Sequence, residues 1–194
     1  MATKARFDLA RRLREPTGAP LGEIFSFLSG LYFRGKLAYA RAFAEPPTVA
    51  SGRGGIHVIT PGAGLQSPDV LLTLAGLRDF ARVAIDADNP RYRRPMLTTA
   101  RALAAHLGDE CEVVLLGSIA SDKYVTVLSE VFGDRLRFPI EFVGRGDMSR
   151  GGLLLRCVAA GRQLAYVPLD GAVRRGPRPP RLVPLPRVVP LARR

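Results

Sequence analysis

The densest group of ligand-capable residues is the run Gly144-Arg145-Gly146-Asp147-Met148-Ser149-Arg150-Gly151-Gly152. Its glycines leave backbone amides open to a ligand, and Arg145 and Arg150 offer planar guanidinium forks that suit a phosphate or a carboxylate. Asp147 can orient one of these arginines, or pair with it to tighten an ordinary loop. A second run, Gly117-Ser118-Ile119-Ala120-Ser121-Asp122-Lys123, follows the apolar segment Val113-Val114-Leu115-Leu116. Gly117, Ser118 and Ser121 supply amide and hydroxyl donors there, and Lys123 adds a charge, which is the pattern of an anion held at a helix start. Helix capping by Ser121 alone would account for the same residues. A third run, Thr60-Pro61-Gly62-Ala63-Gly64, continues to Asp69; Gly62 and Gly64 let a ligand approach the backbone, or simply make a turn. A fourth surrounds Tyr92 with Arg91, Arg93 and Arg94, placing cations for phosphates beside a ring able to stack on a base. Asp86 and Asp88 precede it and can in principle hold magnesium, although a solvated loop is the favoured reading of the whole segment.

The reactions these residues support are limited. Asp69, Asp86 and Asp147 are the candidates for proton transfer. The only histidines are His57, in a strand-like segment, and His106, near a helix end, and both read as structural. The chain has no His-Glu-x-x-His pair, no paired-cysteine metal motif and no Gly-x-Ser-x-Gly elbow. Cys111 and Cys157 read as small buried side chains. No metal site and no cofactor is expected.

The elements that must position these loops follow from apolar spacing. A short basic helix spans 5–14, and Ile24, Phe25, Leu28, Leu31, Tyr32, Leu37, Ala40 and Phe43 share a helical face over 21–44, with a break near Gly30. Most aromatics of the Tyr32, Phe33, Arg34, Lys36, Tyr39 group read as core. Strands are expected at 56–60, 83–86, 112–116, 136–142 and 163–168, and helices at 70–81, 95–107, 121–132 and 149–160. Short apolar strands alternating with helices predict an α/β fold, a three-layer α/β/α sandwich with a mainly parallel sheet of about five strands. In such sheets ligands lie beyond the carboxyl ends of the strands, which is where these loops would fall. Residues 1–20 form a basic helix and loop, 21–170 one domain, and 171–194 a tail.

Charge adds a constraint of another kind. The 194 residues carry 29 Lys and Arg against 17 Asp and Glu, a net +12. The tail 171–194 holds seven arginines, six prolines and no acid. It should be extended or disordered, as a tether for phosphate backbones, a solvated tail, or a strap packed on its own domain or a partner. The three lysines against 26 arginines suggest a GC-rich coding background for part of this bias. There is no membrane-length apolar run, and the basic start lacks a following apolar stretch with a cleavage site, so a cytoplasmic location is expected.

The segments LYFRGKLAYARAFA, IHVITPGAGLQSPD, VVLLGSIASDKYVTVLSEVFG and LRFPIEFVGRGDMSRGGLLL together resemble a group of small α/β domains. That group is related to the uracil-DNA glycosylase fold and is also found fused to archaeal tRNA-guanine transglycosylases. Gly64-Leu65, Pro68-Asp69, Gly117, Lys123-Tyr124, Pro139 and the loop Gly144 to Gly152 carry the likeness, over roughly residues 30–155. The chain departs from the group in lacking an evident opening strand before Leu21. The resemblance implies a domain that handles a base or nucleotide.

These readings favour a nucleic-acid or nucleotide-binding domain, including one that processes a base or its glycosidic bond. Two alternatives stay open: an enzyme for a phosphorylated or nucleotide metabolite, and a non-catalytic protein whose tail docks on a partner.

Overall fold

The computed structural model describes residues 7–47, 54–120 and 122–182. Helix α1 (Asp8–Arg12) leads into a two-residue strand β1 (Ala19–Pro20), then α2 (Leu21–Leu28) and α3 (Gly30–Phe43). Gly30 takes φ +60° between those two helices, a conformation that favours glycine and produces the expected break. A hairpin of β2 (Val58–Thr60) and β3 (Gly64–Gln66) follows, then β4 (Leu71–Leu72), α4 (Leu74–Ala81) and α5 (Pro90–Ala104). The last half contains β5 (Val113–Val114), α6 (Asp122–Phe132), β6 (Leu136–Pro139), α7 (Asp147–Ala159) and β7 (Tyr166–Pro168).

The expected five-stranded parallel sheet does not form. Strands β1 and β4 make an antiparallel pair, β2 and β3 another, and a three-stranded sheet has the order β5-β6-β7. Only β5 and β6 run parallel, and β7 is antiparallel to β6. The structure is mainly helical, with short strands in small sheets, and not a three-layer sandwich.

Local polar chemistry explains where the expectation failed. The segment 83–86 is not a strand: the Asn89 side chain donates to the Ala84 carbonyl at 2.8 Å, and Asp86 accepts from the Asp88 amide at 3.0 Å. These bonds turn the chain into α5, leaving Ile85 exposed. Asn89 also caps α5 by accepting from the Arg91 amide, with Pro90 in the first turn, so the helix starts before Pro95. Pro95 lies inside it. The segment 136–142 is a strand only to Pro139, beyond which Ile140–Phe142 forms a 3-10 turn.

Two apolar clusters hold the body together. One joins α5, α6 and the β6 sheet through Tyr92, Met96, Val127, Phe132 and Phe138. The other joins α3 to α7 through Tyr32, Tyr39, Phe142, Leu154 and Cys157. Tyr39 fixes α3 further: its hydroxyl accepts from the Leu164 amide at 2.7 Å and lies 2.7 Å from the Tyr166 hydroxyl. The N-terminal segment is also attached, since Leu9 packs with Ala19 and Ile24 and the Leu74 amide donates to the Leu13 carbonyl. No helix among the described residues is long and apolar enough to cross a membrane.

Candidate functional site

Helices α3 and α7 cross at two glycines. A methyl group on Gly35 would stand 2.7 Å from the Gly151 carbonyl oxygen, and one on Gly151 would stand 2.8 Å from Tyr32 Cα. Only glycine at both places permits this approach. The crossing turns Asp147 and Arg150 toward α3, and leaves Arg145, Met148, Ser149 and Gly152 facing the other way.

On the α3 side, Arg150 is a strut. Its side chain is 6% exposed, and Nε and Nη2 donate to the Phe142 carbonyl oxygen at 3.2 and 3.1 Å. Nη1 lies 3.5 Å from Asp147 Oδ1. Around it, the Tyr32 hydroxyl donates to the Leu116 carbonyl at 3.0 Å, and Lys36 Nζ sits 4.3 Å from the centre of the Tyr32 ring. Burial pushes the Tyr32 hydroxyl up to about 12, with the Arg150 charge opposing it. Burial also holds the Lys36 ammonium below its usual pKa, against the attraction of Asp147. The segment that supplies two ligand candidates by sequence therefore uses one of them, Arg150, to hold itself in place.

On the other side a groove of about 350 Å³ opens between the start of α7 and residues 178–182. Arg145, Arg156, Arg178 and Arg181 line it, and none of its described lining residues is acidic. Gly146, the N-cap of α7, and Ser149 form part of its floor, so the positive end of a 13-residue helix points at the same space. No side chain caps that helix start. Arg145 is oriented by donating Nε to the Glu141 carbonyl at 3.0 Å and Nη1 to Ser149 Oγ at 3.3 Å.

The opposite wall is the first part of the tail, which has no helix or strand over 171–182 but is fixed to the body. Arg174 pairs with Asp122 at 2.8 Å, and Arg175 donates to the Ala120 carbonyl at 3.3 Å. The strap presses so closely on Gly144 (φ +70°) that a methyl group there would lie 2.1 Å from the Pro177 oxygen. Leu182 packs on the α3–α7 cluster, and Arg145 reaches the Pro180 carbonyl at 3.5 Å. Of the tail readings, packing along its own domain holds for 171–182; residues 183–194 lie outside the described residues.

The other candidates are scattered. Gly64 (φ +68°) makes the β2–β3 turn against α5, where a methyl group would meet Thr99 Oγ1 at 2.2 Å. This is a hairpin turn and not a strand-to-helix loop. Gly62 and Arg91 do meet, with Asp79, Phe80 and Val83, around a shallow cavity of about 290 Å³. Asp69 is exposed and 3.4 Å from Arg41. Tyr92 is fully buried in the core, so its ring cannot stack on a ligand. Arg93 pairs with Glu130, and Arg94 is exposed. Gly117 and Ser118 are half-buried, Gly117 beside Tyr124, and Lys123 is exposed. Ser121 lies outside the described residues. Asp86 and Asp88 belong to the turn before α5. Among the described residues, no group of three His, Cys, Asp or Glu side chains gathers to hold a metal ion.

Sequence reasoning found Arg145 and Gly146 and treated Arg178 and Arg181 only as tail charge. The sequence does not mark Arg156 as a ligand candidate. The available signal was its spacing from Ser149 and Gly152, which puts all three on one side of α7. No family model, no curated protein and no solved structure matches this chain.

Proposed function

We propose that this protein binds nucleic acid in the groove between α7 and the 178–182 strap. One observation carries the reading: four arginines converge on a single groove whose described lining holds no acid. A phosphate chain entering it releases its counterions, and the start of α7, which no side chain caps, favours the same negative charge. The net charge of +12 supports attraction at longer range. The strap is then a wall of the site and more than a trailing tether.

The test is fluorescence anisotropy of a labelled single strand of about 20 nucleotides with the full chain, at about 50 and about 200 mM salt. Binding should weaken steeply with salt, and Arg178→Ala with Arg181→Ala should cost about tenfold or more while circular dichroism stays unchanged. Unchanged affinity in that double variant would remove the groove from the reading. Displacement of the strand by poly-glutamate at matched charge would instead make acidic protein the partner.

A further inference from the structure

We infer that the groove reads the phosphodiester backbone alone, without contacting bases, and so accepts strands of any sequence, of DNA or RNA. This rests on the proposed nucleic-acid binding and narrows its ligand class. Contacts to phosphate come from arginines, backbone amides and helix starts, and these position a strand without reporting its sequence. The groove holds four arginines and the start of α7. Reading a base takes more: an aromatic face to lie on, or an acceptor and donor set matched to its edge.

The chain has nine Phe and five Tyr, and every one is among the described residues. Only Phe7 and Phe27 are exposed, and they stack on each other at 4.9 Å, attached to α1 and α2 and absent from the groove lining. No aromatic side chain is among the groove's described lining residues. Its uncharged walls are Met148, Pro179, Pro180 and Leu182, with no amide or carboxylate side chain to accept from a base amino group. The hydroxyl present, Ser149 Oγ, already accepts from Arg145. An arginine fork can read guanine when a base edge is held against it, and the described lining offers no aromatic face to hold one there. The prolines also set the spacing: in an extended Pro-rich segment, residues three apart return to one side about 9 Å on. Arg178 and Arg181 are three residues apart, and they line the same groove.

The experiment compares labelled strands of equal length with the full chain: oligo-dT, oligo-rU, a mixed guanine-containing strand, and an abasic strand of tetrahydrofuran phosphates. All four should bind within about threefold of one another, with a common salt slope of about 0.7 per neutralised phosphate. Arg178→Ala with Arg181→Ala should weaken all four by the same factor. An abasic strand weaker by about tenfold or more would overturn the inference and leave nucleic-acid binding standing, since stacking would then contribute. A guanine strand stronger by that factor would do the same. If none of the four binds, the proposed function falls and the inference with it.

Discussion

The guanidinium of Arg150 donates two hydrogen bonds to the backbone oxygen of Phe142 and lies 5.4 Å from the centre of that residue's ring. Arg150 is in the first turn of α7 and Phe142 ends the 3-10 turn after β6. One side chain therefore closes the glycine loop between them and sets the direction in which α7 starts.

Arg150→Met should cost about 2–4 kcal/mol of stability, because the buried Phe142 oxygen loses a charged donor pair and gains nothing. Arg150→Lys should recover only part of it, since a single ammonium does not reproduce the planar fork. Urea unfolding of the three proteins measures both effects. Stability equal to the parent in Arg150→Met would show that the strut is dispensable.

The crossing of α3 and α7 gives a paired comparison between adjacent glycines. Gly151→Ala would set a methyl group 2.8 Å from Leu31 and Tyr32 backbone atoms, and overpacking of this kind costs about 1–3 kcal/mol. Gly152→Ala meets nothing closer than Leu182 Cδ1 at 3.7 Å. It should be neutral or stabilising by up to about 1 kcal/mol, as alanine suits a helix interior better. Thermal unfolding that lowers both variants alike would contradict the close crossing.

His57 makes stability depend on pH below neutrality. Its Nε2 is buried with no hydrogen-bond partner among the described residues, and burial holds its pKa below the usual 6.5. As pH falls past about 6.5 the unfolded chain takes up the proton first, so stability declines until the folded imidazole also protonates. His57→Leu should flatten urea midpoints between about pH 7.5 and about pH 5.5. An unchanged slope in the variant would assign the loss to other groups.

Local chemistry is legible in the sequence wherever a residue acts on its own neighbours. Gly30 breaks a helix, and the apolar spacing of 21–44, 121–132 and 149–160 places three helical regions to within a few residues. These depend on backbone dihedrals and side-chain period, which a short stretch of chain settles by itself. Sheet pairing does not. Strands of two to four residues carry too little pattern to specify a neighbour, so the parallel sheet expected from alternation gave way to antiparallel pairs. Tyr92 and Arg150 show the same limit for single residues, since a ring or a guanidinium looks equally useful on a surface or in a core. Both turned inward because the packing of α5, α6 and α7 left room and partners for them there. The groove is the plainest case: Arg145 comes from the loop before α7, Arg156 from the last turn of α7, and Arg178 and Arg181 from the tail. Only the strap's anchors on Ala120 and Asp122 and its passage over Gly144 place those four charges around one space.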